Sequence, residues 1–318
     1  MSADARAGLD ELLRCPDCGR AVERGDDRVR CEAGHAYPVV RGIPRLFDAA
    51  RLSGEKRRTV DAFGYSWTHH PLGNPYTEEQ WRDWVLPLTP ADFAGKRVLD
   101  LGCGLGGFMQ YSRAWGAREV VGVDLSEAID AAAARLGPEA ELVQADVYRL
   151  PFRPGSFDVA YAIGVLHHLP DPEAGFRRLV EMVRPGGLVF AWVYGRENNG
   201  WIVHVVDPLR RRVFSRLPRG VLKWGIALPL AVVLVPFLRA ARRLTWMPYR
   251  DYLVWLGRRE LAFVHGVVFD HLVAPTSHYI RREEFERWFR DAGLVDVRIS
   301  WRNRNSWRGL GRVPASAG

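Results

Sequence analysis

The stretch Val98-Leu99-Asp100-Leu101-Gly102-Cys103-Gly104-Leu105-Gly106-Gly107 decides the fold. An apolar run at 97–101 meets four glycines in six positions, and a helical pattern starts at Phe108. Glycine admits positive φ and leaves no Cβ in the path of a ligand. A strand that turns at once into a helix N-terminus is a cradle for a small molecule.

Strand and helix patterns alternate outward from this loop, over residues 97–195. Strands are expected at 97–101, 119–123, 141–144, 157–163 and 188–194, with helices near 107–115, 126–136 and 171–183. Alternating βα units predict a parallel sheet with helices on both faces, and a ligand at the carboxyl ends of the strands. Three carboxylates sit at those ends: Asp100 before the loop, Asp124 after the second strand and Asp146 after the third. Asp124 can accept both hydroxyls of a ribose, and Asp146 an adenine amino proton. A nicotinamide site would want G-x-G-x-x-G. Here the glycines alternate and an aspartate precedes them, which suits a ligand carrying an ammonium group better than a pyrophosphate.

On these residues the region 97–195 resembles the class I S-adenosylmethionine (SAM)-dependent methyltransferases, in particular the branch acting on ubiquinone precursors and other small molecules. VLDLGCGLG matches the first motif, VVGVDLS the second, QADVYRLPF the third, FDVAYAIGVLHHLPD the fourth and VRPGGLVF the fifth. The resemblance implies a Rossmann-like seven-stranded α/β sheet. It implies that Gly102, Gly104 and Gly106, with Cys103, flank the amino-acid part of SAM. Asp124 with Leu125 would take the ribose, and Asp146 with Val147 the adenine. Ile163 and Gly164 would line the methyl-donor side. His167 and His168 follow the fourth strand, where a substrate would sit. Either could be a general base, since histidine titrates near neutrality. The pair is widespread in the resembled branch across different substrates, which argues for positioning as much as for catalysis.

Residues 1–50 carry a separate signal. Cys15-Pro-Asp-Cys18 and Cys31-Glu-Ala-Gly-His35 supply two closely spaced ligand pairs, the demand of a structural, tetrahedral Zn2+ site. RAVERGDDRVR between them reads as a hairpin. Gly34 and Pro38 argue against a helix bearing the second pair. The segment resembles the zinc ribbon that opens a family of ribosomal-RNA guanine methyltransferases. It also resembles the short zinc-ribbon protein that partners several tRNA and protein methyltransferases.

Residues 51–96 read as a linker and an approach segment. RLSGEKRRT is polar; the aromatics Phe63, Tyr65, Trp67 and Tyr76, with His69 and His70, follow. Thr77 caps an expected helix whose apolar positions 81, 84, 85 and 88 share one face. Tyr65 and Trp67 are candidates to cover the ligand.

After the fifth strand, residues 196–280 form an insertion of mixed apolar runs and arginine clusters at 210–212, 242–243 and 258–259. Long insertions of this kind carry lids or binding surfaces. Its uncharged run Trp224 to Leu238 is 15 residues long and contains Pro229 and Pro236, so it reads as buried or interfacial and not as a spanning helix. Apolar helices flanked by arginine suit a hydrophobic pocket or peripheral contact with an anionic membrane. Residues 281–318 return to the core with an amphipathic helix at 282–293, a strand at 295–301 and a short return strand near Trp307. His265, His271, His278 and Tyr279 gather before that helix as further substrate candidates.

Composition sets the outer bounds. The 318 residues carry net charge +8, which admits nucleic acid, anionic lipid or an acidic ligand. There are four cysteines and no apolar leader-like stretch at the start, so a reducing, cytoplasmic setting is expected. The expected function is SAM-dependent methyl transfer to a small, lipophilic acceptor through oxygen, nitrogen or carbon. The alternatives are an RNA methyltransferase gripping its substrate with the ribbon, and a non-catalytic SAM- or partner-binding module.

Overall fold

The computed structural model describes residues 3–68, 76–241, 243–244 and 250–315. Eleven strands form one sheet. They are β1 (Val22–Arg24), β2 (Arg28–Cys31), β3 (Ala36–Val40), β4 (Ile43–Leu46), β5 (Arg97–Leu101), β6 (Glu119–Asp124), β7 (Glu141–Ala145), β8 (Phe157–Ile163), β9 (Val183–Tyr194), β10 (Val295–Arg302) and β11 (Ser306–Arg312). The spatial order is β1-β2-β3-β4-β7-β6-β5-β8-β9-β11-β10. The seven strands from β7 to β10 in that order are the expected core, but the sheet does not stop at seven. β4 pairs in parallel with β7, Arg45 beside Gln144 and Leu46 beside Ala145, and carries the N-terminal strands onto the core edge.

Strands β5 to β8 are buried on both faces, as near-continuous apolar runs demand. Alternate residues go to opposite sides. Leu99, Val121 and Val143 join one hydrophobic cluster, and Val98, Val120 and Leu142 the other. The second cluster is covered by the helix Glu78–Val85, capped by Thr77 as expected and also by Gln80, with Trp81 fully buried beneath it. The expected short return near Trp307 is instead a full strand: β11 lies antiparallel between β9 and β10.

Three further segments depart from the sequence reading. The helix Ala3–Leu12 was not foreseen, and it buries Leu9 and Leu12 in the core. Residues 54–68, expected as part of a polar linker, form a 15-residue helix that buries Ala62, Gly64 and Ser66. The small residues let it lie close, Gly64 against Ser126 of the core and Ala62 against Phe269 of the insertion. The apolar run of the insertion extends past its flanking charges into a helix, Val221–Ala240, of 20 residues and mean hydropathy 2.1. By length and composition alone it could cross a membrane, and about a third of it is buried in the protein. It packs on the helices Arg250–Gly257 and Leu261–Val273. The insertion is cinched at its neck, where Ile280 N–H donates to Tyr194 and Arg196 N–H to Ile280, each at 2.9 Å.

Candidate functional site

The glycine loop is built around contacts no larger residue allows. Gly102 has φ +74°, and a Cβ there would overlap the side chain of Val165. Gly104, at φ +51°, has the Trp67 indole 3.6 Å from where a Cβ would sit, so the aromatic roofs the loop. Asp124 is held from two sides: its Oδ2 accepts Gly104 N–H at 2.9 Å and its Oδ1 accepts Ser126 N–H at 2.7 Å. Burial pushes its carboxyl up, and those hydrogen bonds pull it back down.

A cavity of about 520 Å³ opens from this loop and runs up into the insertion. At its core end it is lined by Gly102, Cys103, Gly104, Asp124, Leu125 and Val147, with Ile163 and Gly164 alongside. At its outer end it meets Leu234, Phe237, Leu253, Trp255 and Phe263. The polar groups between are His168, Tyr194, Asp270, His271, Tyr279 and Arg302.

The sequence candidates divide accordingly. Trp67, His168, His271 and Tyr279 line the cavity, whereas Tyr65, His265 and His278 are not among its lining residues. His265 instead bonds the Lys223 carbonyl at 2.8 Å within the insertion and packs on Trp224. His167 is fully buried, neither ring nitrogen has a partner, and it lies against Tyr194 with centroids 3.9 Å apart. Burial drives its pKa well down, and it does not line the cavity. Asp100 lies under the loop, 2% exposed, and burial pushes it up to about 8. Its Oδ2 has no hydrogen-bond partner, and Asp100 is not among the residues that line the cavity. Gly106 likewise faces away, toward Leu136. Asp146 is paired with Lys56 of the helix Gly54–Thr68, and its Oδ1 accepts Tyr148 N–H at 2.9 Å. His69 and His70 lie outside the described residues.

His168 is placed for chemistry. Its Nδ1 is 2.9 Å from the Thr276 carbonyl, which can only accept, so Nδ1 carries the proton and Nε2 the lone pair. Burial lowers its pKa to about 3, and that of His271 to about 4. Asp270 was missed by sequence reasoning. Its Oδ1 accepts the Ser66 hydroxyl, and burial raises its pKa to about 6, against the Ser66 bond and the charge of Lys223. Arg302 was missed as well. It is 3% exposed and donates from Nε to Asp83 at 2.6 Å, while its Nη2 has no partner.

At the other end of the sheet, one ligand atom from each of Cys15, Cys18, Cys31 and His35 lies within 4.8 Å of the others. Cys18 and Cys31 sulfurs are 3.3 Å apart, and Cys15 Sγ is 3.4 Å from His35 Nδ1. Four converging soft donors can hold a tetrahedral metal ion. Asp17 beside the cluster accepts from Tyr37 and Arg149, and none of the four ligand residues lines the cavity.

Comparison with known proteins places the central segment. Residues 99–191 match the family model described as a methyltransferase domain. The chain is 35% identical over 143 residues to a ubiquinone biosynthesis O-methyltransferase of Ralstonia nicotianae, covering 43% of this chain and 58% of that protein. It is 37% identical over 138 residues to the protein of that name from Thiobacillus denitrificans, covering 42% and 58%. The matched region thus spans less than three-fifths of either relative's length. Among solved structures, it is similar to an O-methyltransferase family protein from Burkholderia thailandensis, with TM-score 0.47, 15% identity and coverage of 83% and 64%. It is also similar to a structure of the Haloferax volcanii Trm112 activator in complex with a methyltransferase, with TM-score 0.43, 16% identity and coverage of 84% and 95%.

Proposed function

We propose that this chain, whose residues 99–191 are a methyltransferase domain of the SAM-dependent class I, transfers the methyl group to a small lipophilic acceptor. The observation that carries the reading is the cavity. It joins the glycine loop and Asp124 to an outer end walled by Leu234, Phe237, Trp255 and Phe263. Apolar walls fit a lipophilic guest, and they give a nucleic acid no charged groove to lie in.

The residues fit the cofactor. Gly102 and Gly104, both at positive φ, line the cavity with Cys103, and Asp124 is held by Gly104 and Ser126 where it can receive two hydroxyls. When bound, SAM supplies an electrophilic methyl group on a sulfonium. The remainder of the rate comes from holding the acceptor in line, which an enclosed and rigid cavity does. Arg302 offers its unpartnered Nη2 to an oxygen of the acceptor. If the acceptor atom is a hydroxyl or a protonated amine, a proton must leave. Asp270, held near pH 6 and facing the cavity, is better matched to that task at neutral pH than His168 or His271. His168 then positions the acceptor through its Nε2 lone pair. Cys15, Cys18, Cys31 and His35 would hold a structural Zn2+, which cross-links the ribbon to itself, while β4 joins it to the core sheet. We place the protein in the cytoplasm or at the inner membrane face.

The test is direct. Calorimetry should show SAM binding to the wild-type protein and none to Asp124→Ala, and turnover should appear with phenolic or quinol-type acceptors of low water solubility. Undiminished binding in Asp124→Ala would sink the cofactor site. Turnover of RNA in preference to every such acceptor would replace the substrate class.

A further inference from the structure

The net charge of this protein is concentrated in one stretch of its sequence. Residues 201–261 carry twelve Lys and Arg against three Asp and Glu, more than the whole net charge of +8, so the rest of the chain is close to neutral. The same segment holds most of the exposed large hydrophobic side chains among the described residues. They form two stripes. Trp201, Val205 and Leu209 recur at i, i+4 and i+8, and Leu230, Val233 and Phe237 at i, i+3 and i+7. The second stripe runs along the helix Val221–Ala240 and faces away from Ala227, Ala231 and Leu238, which are buried on its neighbours. Val233 is 72% exposed. Arg211, Arg212, Arg216, Arg239 and Arg258 are exposed around these stripes.

The stripes converge on the cavity. Trp201 of the first and Phe237 of the second are both exposed and both line it, so the cavity's mouth lies within the apolar, arginine-ringed face. Aliphatic side chains ringed by arginine, with tryptophans at the margin, match the chemistry of an anionic bilayer surface. Nucleic acid would want stacking platforms among the arginines; Trp201, Trp224 and Phe237 are exposed aromatics, but the stripes are otherwise aliphatic, at Val205, Leu209, Leu230 and Val233. The helix Val221–Ala240 keeps one side packed on the protein, so it can lie in the interface plane but not cross.

We propose that the two exposed stripes, Trp201 to Leu209 and Leu230 to Phe237, seat on an anionic lipid bilayer, and that the cavity mouth between Trp201 and Phe237 draws its acceptor from the lipid phase. The second half rests on the methyltransferase reading; the first does not.

The experiment is co-sedimentation of the full chain with vesicles of mixed phosphatidylglycerol and phosphatidylcholine, alongside phosphatidylcholine alone and tRNA. Binding is expected only with the anionic vesicles, weakening as salt is raised. Leu230→Glu/Val233→Glu, two exposed residues outside the cavity lining, should weaken it at least ~10-fold by losing apolar insertion. Arg212→Glu/Arg216→Glu should do the same by losing the electrostatic part. Unchanged SAM affinity and circular dichroism show that these variants are folded. Bromine-labelled acyl chains should quench the protein's fluorescence, and Trp201→Phe should remove part of that quenching. Equal binding to neutral vesicles, or none, overturns the docking surface. So does indifference to Leu230→Glu/Val233→Glu combined with tight tRNA binding, or retention after a carbonate wash, which would mean a spanning helix. Quenching unaltered in Trp201→Phe overturns the placement of the mouth. Vesicle binding by a protein that does not bind SAM would leave the docking surface standing and remove the methyltransferase reading.

Discussion

Asp124 and Asp270 are both carboxylates facing one cavity, yet only the first could be read from the sequence. Asp124 sits at the end of an apolar strand and just after a glycine loop, a pattern local enough to recognise. Its hydrogen bonds from Gly104 and Ser126 pre-set the oxygens for two hydroxyls. Each hydrogen bond to a charged group is worth ~1.5–3 kcal/mol, so Asp124→Ala should weaken SAM binding at least ~100-fold by calorimetry. Asp270 lies in the apolar helix Leu261–Val273, and its partner Ser66 is 204 positions away. Nothing near it in sequence announces that it is buried against a cavity. Its role shows in the pH profile. A base with pKa about 6 is ionised above that pH, so the rate should fall as pH drops through 6. Asp270→Asn should lower kcat at pH 7.5 by ~100-fold or more and abolish that limb, leaving SAM affinity unchanged. A profile still breaking near 6 in the variant would move the base elsewhere. The histidines teach the reverse. His167 and His168 are adjacent and alike in sequence, but one ring is sealed behind Tyr194 and the other faces the cavity, a difference set by packing alone.

At the scale of elements, the parallel core was legible because its strands are buried on both faces and end in turn signals. The helix Gly54–Thr68 was not, because GEKRRTVDAFGYSWT shows little apolar periodicity. Its buried residues are the small Ala62, Gly64 and Ser66, which pattern reading does not weigh, and the charged Lys56, which it assigns to solvent. The same limit hid the length of the sheet. A ribbon can be recognised from its ligand spacing, but only the structure shows β4 continuing the core beyond β7. That junction makes a prediction. Arg45 crosses it, donating to Gln144 at 2.9 Å and pairing with Asp130 at 2.6 Å. The ligands hold the ribbon that holds β4, so removing metal should loosen one edge of the sheet but not the glycine loop. Chelation, or Cys18→Ser, should release one equivalent of zinc and cost roughly 2–5 kcal/mol in urea melts, as losing a structural cross-link does in small domains. SAM affinity should change less than ~3-fold in the surviving folded fraction, since each part of the loop is packed by the core. Loss of SAM binding in step with zinc would show that the ribbon reaches the site.

For the whole molecule, the buried ionisable groups set how stability depends on pH. Asp100 and Glu141 are buried and pushed up to about 8, Asp100 mainly by burial and Glu141 by burial and the charge of Glu119. The unfolded chain gives up these protons near pH 4, and the folded protein keeps them to about 8. Over that span the folded state binds more protons, so both groups make stability fall as pH rises. His168 and His271, lowered to about 3 and 4, act oppositely: below pH 6.5 the unfolded chain takes up protons that the folded one refuses. The two effects offset each other between pH 4 and 6.5, where all four groups titrate in one state or the other. Above 6.5 the histidines are neutral in both states and only the carboxylates act. From these four groups, stability in urea should be level between about pH 4 and 6.5 and fall from there toward pH 8. Glu141 lies at the sheet's edge, away from the cavity, and can be tested without disturbing the site. Glu141→Gln keeps the shape and removes the charge, so it should flatten the slope between pH 6.5 and 8 and stabilise the protein at pH 8 by roughly 1–3 kcal/mol. A variant with the wild-type slope would place the alkaline loss on Asp100 alone. There the loss should diminish when SAM is bound, because an ammonium group near the loop lowers the cost of ionising that carboxyl.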